Sequence, residues 1–270
     1  MKGIIMIACM LLVQTVYAQI EKRSTELDKA IWECRYECVQ KIDTLGTQEL
    51  VDTMYLRIGN KVSQFYSYSA FYADSLANEP KGSVGQKLLQ KLMTEGIMKG
   101  TGMPGAKILG LGEYYYKNYP DGVLSIYAFR QKTYLMEEEY APQEWIMINE
   151  SKIISGYACK KAVCHFRGRD YVAWYSTDIN CSEGPWKFHG LPGLILEVYD
   201  MEQHYRFTLI DVNTHPQNPV YLYMSDKALE KMERKEYLKD RAVNYTNNKE
   251  RAVKRGKSVP AYDLLERDYK

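Results

Sequence analysis

The 270-residue chain carries no strong excess of either charge: 36 Lys and Arg face 34 Asp and Glu, a formal charge of +2. That balance creates no field to recruit nucleic acid, and no nucleic-acid partner is expected. The one long apolar run, Ile4 to Val13, is about half the ~20 residues a membrane-spanning helix needs. No transmembrane anchor is therefore expected in the mature chain. There are only 4 His, and neither Cys-x-x-Cys nor His-Glu-x-x-His occurs, so no zinc spacing is legible. No Gly-x-Ser-x-Gly marks a nucleophile elbow. The 6 Cys are too few for a disulfide-dense small fold. Neither an internal repeat nor a low-complexity linker is visible, which favours one continuous domain. With 46% hydrophobic and 26% charged residues, the chain is globular, and collagen-like, polytopic and disordered classes are excluded.

What is present begins with an address. Met1 and Lys2 precede the apolar run, and Val16 and Ala18 match the −3 and −1 preferences of a signal peptidase. A cleaved signal peptide over residues 1–18 and a single domain over 19–270 are expected. Export would place Cys34, Cys38, Cys159, Cys164 and Cys181 in an oxidising compartment. Cys34 and Cys38 lie on an alternating strand, about 13 Å apart, and should not bond to each other. An odd number leaves at least one thiol free or paired between molecules.

Period-two patterning dominates the remainder. Trp32, Cys34, Tyr36 and Cys38 share one face of a strand. Met54–Ile58 and Lys61–Tyr66 flank the turn signal Gly59-Asn60. Further strands are expected over 123–129, 132–138, 145–148, 156–166, 171–177, 194–200 and 204–212, joined by links short enough for an antiparallel meander. Two regions break the pattern. Residues 69–98 turn helical, with Leu88, Leu89, Leu92, Met93 and Ile97 on one face and Ser83 near the cap. Residues 225–257 hold eleven Lys and Arg against six Asp and Glu, the mixture of a solvated helix, with a basic docking surface as the sharper reading. The fold class expected is mainly β (α+β): one curved, partly barrel-like antiparallel sheet with helices packed across it.

Gly100-Thr101-Gly102-Met103-Pro104-Gly105 fits Gly-x-Gly-x-x-Gly. A helical pattern precedes it and Pro104 removes a phosphate-facing N–H, so a dinucleotide site is not expected there. Residues 156–166 read as a single strand, which turns Cys159 and Cys164 to opposite faces and forbids a shared metal. No cofactor or metal site is expected. The most unusual stretch is Gly184-Pro185-Trp186-Lys187-Phe188-His189-Gly190-Leu191-Pro192-Gly193-Leu194-Ile195. Pro192 and Gly193 suit the second and third positions of a type II turn over Leu191–Leu194. One reading is a rigid corner locking two strands, and the other is the mouth of an apolar cavity.

These residues resemble the GLPGLI family of exported proteins from Bacteroidetes, named for the run Gly190-Leu191-Pro192-Gly193-Leu194-Ile195. Supporting segments are Lys152-Ile153-Ile154-Ser155-Gly156-Tyr157, Phe166-Arg167-Gly168-Arg169, Ala173-Trp174-Tyr175 and Gly184-Pro185-Trp186-Lys187-Phe188. The resemblance is strongest over about 145–212. It implies a bacterial envelope location, with periplasm expected over release, and no established activity.

The expectation is a non-enzymatic envelope protein. Its rim residues would be Arg169, Trp174, Trp186 and Phe188, with Arg169 near a Trp by cation–π attraction. Its ligand would be lipid, peptide or an envelope partner such as an outer-membrane transport component. A hydrolase with residues converging from separate strands is the alternative. A third reading is a thiol or metal protein using Cys159, Cys164 and Cys181.

Overall fold

The computed structural model describes residues 24–41, 49–99, 111–129, 132–223, 229–254 and 264–269. The expected leader and the Gly100–Gly105 motif lie outside the described residues. The N-terminal half supplies β1 (Ser24–Asp28), β2 (Ala30–Lys41), β3 (Glu49–Gly59), β4 (Ser63–Ser67), α1 (Tyr68–Ala77) and α2 (Val84–Lys99). The middle supplies β5 (Tyr114–Lys117), β6 (Val123–Phe129), β7 (Thr133–Glu139), β8 (Ile146–Ile154), β9 (Tyr157–Phe166) and β10 (Arg169–Ser176). The last part supplies β11 (Leu194–Asp200), β12 (Tyr205–Asn213), β13 (Val220–Tyr223), β14 (Leu229–Lys231) and α3 (Arg234–Lys254).

Two meanders, β2 to β7 and β8 to β12, join edge to edge where β2 pairs antiparallel with β12, with Cys38 opposite Phe207. The result is a 12-stranded sheet in the order β14-β7-β6-β5-β4-β3-β2-β12-β11-β10-β9-β8, while β1 and β13 form a separate pair. All its pairings are antiparallel except β14 with β7, which is parallel. The fold is thus mainly β with three described helices, and β14 and β8 are free edges, so the sheet does not close into a barrel. It is nevertheless sharply coiled. Phe65 on β4 and Phe207 on β12 have ring centroids 6.1 Å apart although β3 and β2 lie between their strands. A flat sheet would separate them by roughly 14 Å.

The alternation in β2 does what its spacing predicts: Cys34, Tyr36 and Cys38 are fully buried in the main core. That core fills the concave face with Leu56, Phe65, Tyr115, Ile126 and Met136 from the first meander and Tyr171, Val198 and Phe207 from the second. On the outer face, Tyr66, Tyr114, Tyr116 and Tyr127 make a second cluster, covered by Phe71 of α1 and by Leu222 and Tyr223 of β13. The helical region is two helices. Ser67 caps α1 by accepting the Ala70 N–H at 3.1 Å, and Ser83 accepts the Gln86 N–H at 3.1 Å to start α2. The expected apolar face of α2 is less buried than its spacing implies, with Leu88, Leu89, Leu92 and Met93 only half-buried. In α3, Arg234, Tyr237 and Leu238 are buried, and the exposed residues that follow are those of a solvated helix.

Candidate functional site

Between β10 and β11 the chain leaves the sheet and runs through its concave side. Phe188 donates its N–H to Pro185 O at 3.1 Å, closing a turn in which Trp186 takes a left-handed backbone (φ 53). Trp186 and Phe188 are fully buried and meet edge-on at 5.2 Å, and Phe188 packs edge-on against Tyr171 at 4.7 Å. The Pro192 corner is tighter than a type II turn. The Gly193 N–H donates to Leu191 O at 2.8 Å, a three-residue turn, while Leu194 N–H goes to Ile179 O instead. Glycine is still required at 193: its φ is +149, and a Cβ would overlap the carbonyl of Ser176.

Two buried lysines hold this loop. Lys117, 0% exposed on β5, donates to Glu183 Oε2 at 3.0 Å, Gly184 O at 2.7 Å and Phe188 O at 2.9 Å. An ammonium has three N–H groups, and all three are used, so Lys117 is a staple with no donor left for a substrate. Burial pulls its pKa down, opposed by the Glu183 charge. Glu183 Oε1 in turn accepts the Tyr140 hydroxyl at 2.9 Å, and Tyr140 stacks on His189 at 4.0 Å. Lys187, 2% exposed, bonds Glu138 at 2.6 Å and Glu266 at 2.9 Å. Arg234 pairs with Glu266 and Asp268, each at 2.7 Å, and Arg167 reaches Glu138 and Asp268. Three cations and three carboxylates thus form one connected network where the loop, β7, α3 and the C-terminal segment meet.

Beside that network is a small pocket open to solvent. Ile126, Met136, Leu238, Leu264 and Leu265 give it apolar walls, Tyr115 and Trp186 add aromatic ones, and Glu113, Arg234, Arg241 and Glu266 supply charge. Glu113 is itself engaged, accepting the Tyr237 hydroxyl at 2.7 Å and pairing with Arg241. The charged lining is therefore paired within itself, and the walls between are aliphatic and aromatic.

Among the described residues, the buried histidine and thiols are held in their uncharged forms. Burial, reinforced by the Lys117 charge, pushes the His189 pKa down to about 4, and its Nε2 lies 2.9 Å from Ala141 O. Burial pushes the Cys181 thiol up to about 12, Cys164 to about 12 and Cys159 to about 11. A neutral imidazole and protonated thiols make no thiolate nucleophile. All five described cysteines are free, and β9 is the single strand expected for Cys159 and Cys164. Asp200, Glu202 and His204 bring ligand atoms within 4.8 Å of one another. Arg169 already lies 3.0 Å from Asp200 and 3.1 Å from His204, and Arg267 2.8 Å from Glu202. Two guanidinium charges occupy the place a cation would need.

The four residues expected at a rim are dispersed. Trp186 lines the pocket, Phe188 packs behind it in the core, and both are sealed from solvent. Arg169, 3% exposed, holds the C-terminal segment and lies over Tyr205 at 5.2 Å, not over a tryptophan. Trp174 is 7% exposed, with Lys152 at 4.4 Å and Lys161 at 5.8 Å from its ring. The tryptophan cation–π partners are thus lysines, including Lys187 over Trp186 at 5.5 Å. Sequence reasoning did not single out Lys117, Glu183, Lys187, Arg234 or Glu266. Only Lys187 carried a local signal, a cation between two aromatics in an otherwise apolar run.

A family described as "Protein of unknown function (Porph_ging)" matches residues 167–197, the stretch from the β9–β10 turn through the loop into β11. No curated protein sequence matches the chain. Among solved structures, PNGF-II is similar in two crystal forms, at 16% identity with a TM-score of 0.46 and 14% with 0.47. Each comparison covers 78% of this chain but 32% of PNGF-II, so the chain spans about a third of that protein. An outer membrane lipoprotein-sorting protein domain from Vibrio parahaemolyticus is similar at 5% identity and a TM-score of 0.22, over 74% of this chain and 90% of that one.

Proposed function

We propose that the chain is an exported cell-envelope protein of the GLPGLI type that acts by binding, not by catalysis, and that its ligand is apolar or amphipathic. The observation that carries this reading is the pocket beside Trp186, whose charged groups are already paired while its aliphatic and aromatic walls are not. An apolar chain entering it would gain about 25 cal/mol per Å² of hydrocarbon surface removed from water. Export is supported by the apolar leader and small residues at Val16 and Ala18. The GLPGLI assignment is supported by the run Gly190–Ile195, which falls inside the stretch matched by a family of unknown function.

The test is native mass spectrometry of the protein purified from its own envelope, followed by titration of the emptied protein with decanoate and decyl maltoside. Saturable binding at one site, abolished when Met136→Trp fills the pocket in a protein that still melts cooperatively, is the expected result. Turnover of a p-nitrophenyl ester or a chromogenic peptide, with no amphiphile bound, would reverse the reading in favour of an envelope hydrolase.

A further inference from the structure

The described C-terminal residues, Leu264–Tyr269, adopt neither helix nor strand, yet Leu264 and Leu265 are each only 2% exposed. They are held chiefly by Arg167 and Gly168 of the β9–β10 turn and by Arg169, which opens β10. Arg169 donates from Nε to Leu265 O at 3.0 Å and from a terminal nitrogen to Leu264 O at 3.0 Å. The Arg167 carbonyl accepts the Arg267 N–H at 2.8 Å. Gly168 lets the two backbones approach: a Cβ there would lie 3.0 Å from Arg267 Cβ and 3.2 Å from Asp268 N. This short stretch therefore reads the segment's backbone at three places. The side chains are read separately, the leucines by the main core, Glu266 by Lys187 and Arg234, and Asp268 by Arg234 and Arg167.

We propose that the β9–β10 turn, with Arg169, Lys187 and Arg234, is a peptide-recognition site for a segment of a partner protein with the pattern Leu-Leu-acid-x-acid. The chain's own C-terminal segment is its exchangeable resident. The match is one of charge as well as shape, since the buried Lys187 and Arg234 and the half-buried Arg167 face the two acidic positions. This site shares Arg234, Leu264, Leu265 and Glu266 with the lining of the amphiphile pocket, but its ligand differs, and the peptide titration reads it with no amphiphile present.

In the test, a protease site is inserted between Lys254 and Leu264 of the full chain and cut after folding. A fluorescein-labelled peptide of Leu264–Lys270 is then titrated and followed by anisotropy. It should bind the cut chain saturably and the intact chain about tenfold more weakly, because the tethered resident competes at high effective concentration. A peptide carrying Glu266→Gln and Asp268→Asn should lose about tenfold in affinity, since its charge-assisted bonds are gone. Equal binding of the two peptides, or none to a cut chain that still melts cooperatively, overturns the proposal. Dimers of the uncut chain that vanish on cutting would assign the site to a second copy's segment and overturn the partner reading. If cutting unfolds the protein, hydrogen exchange on the intact chain decides. The Arg267 amide should then exchange at least about tenfold faster than the amides of β2, and exchange only through global unfolding overturns the proposal.

Discussion

The outer face of the sheet over β3 to β7 is sealed with tyrosine, and the concave face opposite is closed with buried ions. Outside, Tyr66 and Tyr114 stack at 6.0 Å, Tyr114 and Tyr223 at 5.5 Å, and Tyr116 meets Tyr127 edge-on at 5.4 Å. Their hydroxyls need only one or two partners each: Tyr114 donates to Asp74 at 2.9 Å, and Tyr116 accepts from Gln64 at 3.2 Å and from the Tyr223 N–H at 2.8 Å. Inside, Lys117 reaches from β5 into the loop, and Lys187 reaches out of that loop to Glu138 and Glu266. A tyrosine brings a large apolar ring and a cheaply satisfied hydroxyl. A lysine ammonium stripped of water is tolerable only when its partners are complete. The tyrosine face should therefore degrade gradually under mutation, and the ionic face should fail abruptly.

The largest effect is expected at the corner that the ions hold in place. Gly193→Ala forces a Cβ into the Ser176 carbonyl and should cost at least about 4 kcal/mol in denaturant unfolding. An unchanged midpoint would show that the corner yields. Next, Lys117→Met leaves Glu183 buried without its cation and should cost about 3–4 kcal/mol. Pairing it with Glu183→Gln should recover a large part of that loss in a double-mutant cycle, and additive losses would deny the coupling.

Acid should also strike the concave face. His189 stays neutral in the fold down to about pH 4, whereas its unfolded form takes up a proton below about 6.5. The unfolded state thus binds more protons in that window, and stability falls as pH drops from about 6.5 to about 4, by about 3 kcal/mol from this residue. His189→Gln should flatten that part of the stability–pH curve, and an unaltered slope would place the acid sensitivity elsewhere. The smallest effect belongs to the tyrosine face. Tyr114→Phe keeps the ring and removes one hydrogen bond to Asp74, a loss of about 1 kcal/mol. A cost equal to that of Lys117→Met would erase the contrast between the faces.

Much of the sheet was legible, for identifiable reasons. β2 alternates because one face is in the core and the other carries Glu33, Arg35 and Glu37, so its pattern survives without knowledge of its neighbours. β6, expected from 123, starts there after Pro120-Asp121-Gly122, where the Val123 N–H returns to Pro120 O at 2.8 Å. By contrast β5, Tyr-Tyr-Tyr-Lys, is buried on both faces and too short to alternate, and it went unread. β1, β13 and β14 pair only with distant segments or at an edge, and their short sequences carry no period. The aromatics of the candidate site were legible, but their seats were not. Trp186 and Phe188 announce a packed corner, whereas Arg169 looks like a strand-edge cation until Leu264 and Leu265, far along the chain, supply its acceptors.

Local periodicity and turn chemistry decided most of the strands, the hairpins and the helix cap at Ser83, because these depend on neighbours a few residues away. Which lysines and arginines would be buried was decided only by the coiled sheet. Lys117 meets Glu183 across 66 residues, and a cation gives up its water only where folding has already gathered enough acceptors to replace it.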